Sequence, residues 1–227
     1  MELHLYSRPG VDGIEWILEA ARSLLAGARR PLVAYLPLAS LHRRWIRETK
    51  GYFRGLAAVQ AIDPQLHAPE QVLETLDRAD LFYIPGGNTY WLTYQLSQPL
   101  GGGPTLLSEL RRRILDGKPL LAFSAGAVLC GPDILTTNDI NPNAGVCFGG
   151  LDLLPFSINA HFPPAGDPAG REARLARLDE FLHFHPRRTV LGLEDDAYLQ
   201  VSGGEIHAAR GHIWQITRGQ EPRLLLS

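Results

Sequence analysis

Short apolar runs alternate with longer amphipathic stretches over the first 123 residues, and this alternation constrains the fold more than any other feature. Residues 32–36 are apolar at every position, whereas residues 11–26 carry apolar side chains at helical spacing. Strands that are apolar on both faces and separated by helices are typical of a parallel sheet covered on both sides. The pattern therefore predicts an α/β fold, a three-layer sandwich with a mainly parallel sheet.

The predicted elements divide the chain into two parts. The strands of the first part are expected at residues 3–5, 31–37, 57–62, 81–84 and 119–123, and its helices at 11–26, 41–53, 71–76, 89–96 and 106–115. In the last third, strands at 157–162 and 189–193 flank a helix at 171–184, and short strands at 198–201, 205–208 and 213–216 predict a small antiparallel C-terminal meander. With 227 residues, 45% of them hydrophobic, the chain can bury a full core, so we expect a single domain over 1–227.

Composition argues against several classes of partner. A net charge of -2 gives no attraction for nucleic acid or an anionic membrane, and no uncharged stretch reaches the ~20 residues that cross a bilayer. Cys130 and Cys147 lie outside any metal-ligand spacing and are interpreted as reduced, buried thiols, so neither a metal nor a cofactor is expected. The N-terminus lacks the basic start and apolar run of a signal peptide, which predicts a cytoplasmic protein.

The most informative segment is the end of the apolar strand at 119–123, where Ser124 is followed by Ala125, Gly126 and Ala127. Small residues around a serine at a strand-to-helix turn are typical of a nucleophile elbow, which lifts the hydroxyl above the edge of the sheet. The start of the next helix would add backbone N–H groups where an oxyanion develops. The match to G-x-S-x-G is partial, because Ala122 occupies the place of the first glycine. The alternative is a serine that only caps a helix.

A second turn, Gly86-Gly87-Asn88, follows the strand at 81–84. Two glycines permit a backbone conformation that points N–H groups outward, as an oxyanion donor requires. The alternative is a plain strand-to-helix connection in which Asn88 caps the next helix.

His161 lies near the end of the strand at 157–162, where α/β enzymes place catalytic groups. The other histidines are interpreted as structural or solvated. A base of this kind needs a carboxylate to orient its imidazole, and the candidates are Glu194, Asp195 and Asp196 after the next strand, or Asp139. The proline-rich loop at 163–170 is a candidate mobile flap beside this site.

In their order and approximate spacing, these segments resemble the aspartyl dipeptidase (peptidase E) family of serine peptidases. The resemblance covers nearly the whole chain and rests on residues 85–89, 123–127, 136–139, 158–162, 171–175 and 192–193 with the carboxylates that follow. It implies a flavodoxin-like sheet related to that of class I glutamine amidotransferases. It also implies Ser124 as the nucleophile and His161 as its base, with the oxyanion held by the backbone N–H groups of Gly87 and Ala125.

The acid and the substrate contacts follow less directly from the resemblance. The family has a glutamate where matching without gaps places Asp195, and since aspartate is one methylene shorter, Glu194 and Asp139 remain alternatives. The family's preference for an N-terminal aspartate is attributed to an arginine that matches Arg171, because a guanidinium can grip a carboxylate with two parallel hydrogen bonds. Residues 168–170 depart from the family's Gly-Glu-Thr pattern, and the flap is shorter. Asn88 and Thr89 are also expected to contact the substrate.

We therefore expect a serine exopeptidase that hydrolyses small peptides, above all dipeptides with an N-terminal aspartate, through an acyl-enzyme on Ser124. One alternative keeps the fold and changes the substrate, as in a cyanophycinase-like or broader-specificity peptidase. The other is a non-catalytic, amidotransferase-like binding protein. The expected partner is a small peptide rather than nucleic acid or a membrane, and a homodimer is the one assembly considered.

Overall fold

Strands and helices alternate through the first part of the computed structural model, which describes residues 1–11, 13–42 and 44–226. The elements of this part are β1 (Glu2–Tyr6), α1 (Glu15–Leu24), β2 (Leu32–Tyr35), α2 (Arg44–Tyr52), β3 (Ala58–Ala61), α3 (Pro69–Arg78), β4 (Leu81–Ile84), α4 (Thr89–Leu96), α5 (Leu106–Leu115), β5 (Leu120–Phe123) and α6 (Ala125–Val128). The last third contains β6 (Ser157–Ala160), α7 (Pro168–Phe184), β7 (Thr189–Leu193), β8 (Tyr198–Ser202), β9 (Glu205–Arg210), β10 (Ile213–Thr217) and β11 (Arg223–Leu226).

Seven strands form the main sheet, in the order β3-β2-β4-β5-β1-β8-β9. The first five strands in this order run parallel, and β8 and β9 add antiparallel strands at one edge. Successive residues of a strand face opposite sides, so Phe82 and Ile84 pack with the side chains of α3, α4 and α5, whereas Leu81 and Tyr83 pack with those of α1. Helices thus cover both faces of a mainly parallel sheet, and the predicted α/β sandwich is confirmed.

The remaining strands form a second sheet in the order β11-β10-β7-β6, in which only β6 and β7 are parallel. Helix α7 packs on this sheet through Leu178, Phe181 and Leu182, which form a separate apolar cluster with Phe162, Val190 and Ile216. Among the described residues, no helix combines the length and apolar character that crossing a membrane would require.

The antiparallel strands predicted at the C-terminus are present, but they are divided between the two sheets. Strands β8 and β9 hydrogen-bond to the main sheet through β1, whereas β10 pairs with β7 in the second sheet. The chain changes sheets at Gly211, where φ is +74 and a Cβ would lie 2.4 Å from the carbonyl oxygen of Asp196. Both β1 and β7 would otherwise expose an unpaired edge, and the two halves of the C-terminal segment each cover one of them.

Two smaller expectations also need correction. Residues 168–170 of the predicted flap belong to the first turn of α7, since the Asp167 side chain accepts a hydrogen bond from Gly170 N at 3.0 Å and Pro168 begins the helix. Both cysteines are free as expected, but only Cys130 is buried, and Cys147 is half-buried.

Candidate active site

Three of the predicted residues form one chain of hydrogen bonds. The His161 Nε2 atom lies 3.0 Å from Ser124 Oγ, and His161 Nδ1 lies 2.5 Å from Asp195 Oδ1. This is the arrangement in which an imidazole can take the proton of a serine hydroxyl while a carboxylate holds the ring and balances its charge.

Ser124 occupies a strained turn between β5 and α6. Its backbone adopts φ 51 and ψ -115, a conformation that is costly for a residue with a side chain. The turn is held by a bond from Ser124 N to Tyr6 O at 3.0 Å, and by α6 packing so closely on β4 that a Cβ at Gly126 would lie 2.3 Å from Ile84 O. The close approach accounts for the small residues after the serine. Because α6 has only four residues, its individual N–H groups matter more here than a helix dipole.

His161 and Asp195 come from the second sheet, so the triad does not lie along the edge of a single sheet. His161 follows β6 and Asp195 follows β7, and these two strands are parallel neighbours whose ends meet the end of β5 in the main sheet. His161 also has a positive φ of 53, which places strain at both ends of the Ser124–His161 hydrogen bond.

Ser7 joins the two sheets beneath the triad, and sequence reasoning missed it. Its fully buried hydroxyl accepts a hydrogen bond from His161 N at 2.9 Å and donates to Leu193 O at 3.1 Å. Its own N–H donates to Ala197 O at 3.1 Å. Since Leu193 and Ala197 lie on either side of Asp195, Ser7 fixes the main chain around both His161 and Asp195. Its position just after β1 was the available signal, because polar residues at strand ends mark sites in this class of fold.

Arg174, on α7, holds the other side of the His161 main chain. Its Nη1 atom donates to His161 O at 3.0 Å and to Asn159 Oδ1 at 2.8 Å. Burial, with a smaller contribution from Arg177, lowers the pKa of Arg174 to about 10, which still leaves it charged at neutral pH. The strained backbone of His161 is therefore anchored at its N–H by Ser7 and at its carbonyl by Arg174.

The two alternative acids are bonded elsewhere. Glu194 Oε1 accepts a hydrogen bond from Trp214 Nε1 at 2.7 Å. Asp139 Oδ2 accepts bonds from the backbone N–H and the hydroxyl of Thr89, at 2.7 and 2.6 Å, at the start of α4. Asp195 is thus the carboxylate that the structure brings to His161.

Gly86 and Gly87 form a turn directly against Ser124. A Cβ at Gly86 would lie 3.0 Å from the Ser124 Cβ, and one at Gly87, where φ is +141, would lie 2.4 Å from Ala39 O. Only glycine fits this turn, and among the described residues the N–H groups of Gly87 and Ala125 have no acceptor. Both amides therefore retain donor capacity beside the serine.

The side chains of Asn88 and Thr89 contact other parts of the protein. Asn88 caps α4, since its Oδ1 accepts from Trp91 N at 2.9 Å, and its Nδ2 donates to Ile140 O at 2.9 Å. Thr89 is held by Asp139. Their expected contact with substrate stays a prediction.

A cleft of about 430 Å³ opens beside Ser124 and His161. It is lined by the Gly86-Gly87 turn and mostly by aromatic and apolar residues, namely Pro9, Ile14, Tyr35, Pro37, Trp45, Tyr52, Tyr83, Pro85 and Phe123. A cavity of this size and composition, with a nucleophile and a base at its wall, is typical of an enzyme's small-molecule site.

Arg171 lies outside the lining of this cleft. Its guanidinium stacks 3.8 Å from the Trp214 ring and 5.0 Å from the Phe162 ring, and Nη2 lies 3.8 Å from Glu194 Oε1. The structure thus does not place Arg171 with the triad, although Phe162 and Glu194 are the sequence neighbours of His161 and Asp195.

Comparisons with known proteins identify the family. The model of peptidase family S51 matches residues 6–209. Peptidase E from Salmonella typhimurium is 34% identical over 230 residues, which cover 97% of this chain and 96% of that protein. A peptidase E protein of known crystal structure from Listeria monocytogenes matches with a TM-score of 0.70 at 18% identity, over 92% of this chain and 97% of that one. A peptidase from an acI-B1 Actinobacterium matches with a TM-score of 0.64 at 16% identity, over 99% and 96%.

The last two likenesses show the fold, whereas the family model and the Salmonella relative match nearly the whole chain, and the span matched by the family model contains positions 124, 161 and 195. The protein therefore belongs to peptidase family S51 and is a serine peptidase.

Proposed function

We propose that this peptidase hydrolyses small peptides through an acyl-enzyme on Ser124. The observation that carries the proposal is the unbroken chain from Ser124 Oγ through the His161 ring to Asp195, with distances of 3.0 and 2.5 Å. A cleft of about 430 Å³ suits a ligand of two or three residues better than a folded protein. A non-catalytic role does not fit a member of a peptidase family.

The chemistry follows from these positions. His161 takes the hydroxyl proton as Ser124 Oγ attacks the peptide carbonyl, and Asp195 balances the charge on the ring. The N–H groups of Gly87 and Ala125 would donate to the oxyanion, each contributing about 3 kcal/mol to barrier lowering. His161 then passes the proton to the leaving amine, and water releases the acyl group by the reverse path.

Covalent labelling tests the nucleophile independently of the substrate. A fluorophosphonate should modify the wild type, and mass spectrometry of the digested protein should locate the adduct on the peptide containing Ser124. Ser124→Ala should abolish the adduct and reduce turnover by roughly 10⁶-fold while the protein stays folded. An adduct on another serine, or an unlabelled wild type that still cleaves peptides, would contradict the assignment.

Selectivity for an N-terminal aspartate is the second part of the proposal, and it depends on Arg171. Its Nη2 atom is buried without a hydrogen-bond partner among the described residues, so the guanidinium retains donor capacity for a carboxylate. Arg171 contacts Phe162, which follows His161 in the sequence, and Glu194, which precedes Asp195. These contacts favour a substrate subsite on that side of the triad.

A matched pair of substrates tests this selectivity. The ratio of kcat/KM for Asp-Leu to that for Ala-Leu should fall in Arg171→Met, which keeps an apolar side chain against Trp214 but removes the charge. Arg171→Lys should retain part of the ratio, because it keeps the charge without the planar fork. An equal loss on both dipeptides would show that Arg171 supports the fold rather than the substrate. The panel should also contain β-linked Asp-Leu and β-linked Asp-Arg. Preferential cleavage of these two peptides would favour the cyanophycinase-like alternative over a dipeptidase for α-linked Asp peptides.

A further inference from the structure

The cleft beside Ser124 contains a wall that the catalytic chemistry does not use. Trp45, Thr49 and Tyr52 lie on one face of α2 at spacings of four and three residues, and all three line the cleft. Trp45 and Tyr52 are 38% and 48% exposed, and the Arg44 guanidinium lies 4.7 Å from the centroid of the Trp45 ring. Exposed apolar surface of this kind marks a place where a ligand or partner binds.

Another part of the lining is formed by rings of the central sheet. Tyr35 and Tyr83 stack with ring centroids 5.2 Å apart, and Phe123 follows at 6.3 Å from Tyr83. Burial raises the pKa of Tyr35 and of Tyr83 above the ordinary value, so both phenols stay neutral at physiological pH. Phe123 immediately precedes the nucleophile, so this wall leads directly to Ser124.

Charge is the feature that distinguishes the cleft from the rest of the site. Of the residues that the structure describes, those lining the cleft include no Asp, Glu, Lys or Arg side chain. Its polar side chains are the hydroxyls of Ser40, Thr49, the tyrosines and Ser124, together with the His161 imidazole. A charged substrate side chain would lose its hydration here without meeting a carboxylate, ammonium or guanidinium group of the lining, whereas an apolar one would leave water for a matching surface.

The volume admits a large group. A dry cavity of about 150 Å³ lined by apolar side chains already binds benzene, and this cleft measures about 430 Å³. An aromatic or long aliphatic side chain can therefore enter while the peptide backbone stays at Ser124.

We infer that the cleft is a specificity subsite for a large apolar side chain, carried by one of the two residues that flank the cleaved bond. This rests on the proposed function, since it assigns the cleft to the substrate of Ser124. The cleft then favours an aromatic residue over alanine at that position. An apolar second residue is compatible with the N-terminal aspartate proposed above, whereas an apolar first residue would replace it. The experiment below shows which of the two substrate residues places its side chain in the cleft.

Two pairs of dipeptides test the subsite. If the second residue occupies the cleft, kcat/KM for Asp-Phe should exceed that for Asp-Ala by roughly 10- to 100-fold. If the first residue does, Phe-Ala should exceed Ala-Ala by a similar factor. In either arm, Trp45→Ala and Tyr52→Ala should lower the phenylalanine-to-alanine ratio by about 5-fold or more, and leave kcat/KM for the alanine peptide nearly unchanged.

Phe184→Ala provides the matched control, because Phe184 is 78% exposed and lies at the end of α7, away from the cleft lining. It should leave both ratios at the wild-type value. Wild-type ratios near one, or Trp45 and Tyr52 variants that behave like the Phe184 variant, would overturn the subsite and leave the serine mechanism intact.

A binding measurement separates failure of the subsite from failure of the mechanism. The Ser124→Ala variant should bind Asp-Phe or Phe-Ala more tightly than the corresponding alanine peptide by the same 10- to 100-fold, as measured by calorimetry. If the wild type cleaves none of these peptides and resists fluorophosphonate, the proposed function fails. The calorimetric comparison then still decides the subsite, since equal affinities would refute it.

Discussion

The two sides of His161 differ in how many of their side chains already have partners within the protein. On the cleft side, aromatic rings such as Trp45 and Tyr52 remain exposed, and no charged side chain of a described residue contributes to the lining. On the other side, charges lie close together and are mostly paired, as Asp195 is with His161 and Asp196 with His212. The cleft thus offers a surface for a ligand, whereas the pairs on the charged side hold His161 and Asp195 in place.

Arg171 is an exception on the charged side, as is the Nε atom of Arg174. The stack of Arg171 with Trp214 and its approach to Glu194 belong to the fold, but Nη2 has no hydrogen-bond partner among the described residues. If the Arg171 variants lose equal activity on Asp-Leu and Ala-Leu, Arg171 belongs to the residues that support the fold. Substrate binding would then be confined to the cleft side of His161.

The largest effect expected on the charged side comes from Asp195. Asp195→Asn removes the charge that stabilises the His161 imidazolium and favours the wrong tautomer, so kcat should fall by roughly 10³- to 10⁴-fold. The steady-state rate on Asp-Leu and on Ala-Leu measures the loss, which should be the same for both. Asp139→Asn and Glu194→Gln are the matched controls, because each carboxylate has its own partners away from the His161 ring. A loss in either control as large as that in Asp195→Asn would move the role of acid to that residue.

The sequence allowed the layered fold and the strand-end positions of Ser124 and His161 to be predicted because these depend on local patterns. Ser124 lies in a run of small residues after an apolar strand, and His161 lies at a strand end. Asp195 came from the resemblance, and its contact with His161 in the structure agrees with that match.

The parts that could not be predicted depend on contacts between distant segments. Nothing in β10 shows that it leaves the main sheet for β7, because strand pattern indicates burial but not pairing partner. Ser7 and Arg174 act on backbone groups of His161, so their effect requires the fold to be known. The packing of Arg171 against Trp214 likewise joins residues far apart in the chain.

An intermediate effect is expected from Ser7. Ser7→Ala leaves the buried N–H of His161 without its acceptor, whereas Leu193 O keeps its bond from Phe162 N at 2.8 Å, and the loss should lower the free energy of unfolding by about 1–3 kcal/mol. Displacement of the His161 ring should also reduce kcat by roughly 10- to 100-fold with little change in KM. Urea unfolding and steady-state kinetics on fully folded protein measure the two effects.

Thr75→Ala is the control for Ser7, since Thr75 is a buried residue whose hydroxyl also makes two hydrogen bonds, to Gln71 O and from Gln60 Nε2, on the far helix α3. It should lower stability without lowering kcat. If Ser7→Ala has the same outcome as Thr75→Ala, the hydroxyl is a structural group and does not position the base.

The smallest effect is expected at Asp196, which lies next to the catalytic acid but faces His212. Partial burial raises its pKa, but hydrogen bonds from the His212 N–H and ring outweigh this and hold the pKa below the ordinary value. A lowered carboxylate pKa stabilises the fold above the unfolded-state value of about 3.9, and this contribution disappears as the pH falls through the folded-state pKa. Because the pair is half-exposed, Asp196→Asn should lower the free energy of unfolding by only about 0.5 kcal/mol at pH 7.

Urea unfolding should show that the stability difference between Asp196→Asn and the wild type becomes smaller below pH 4. Asp179→Asn, on the exposed face of α7, should show no stability difference from the wild type at either pH. The kcat of Asp196→Asn should match the wild type, since a loss comparable to that of Asp195→Asn would mean that the two neighbouring carboxylates share the task of holding His161.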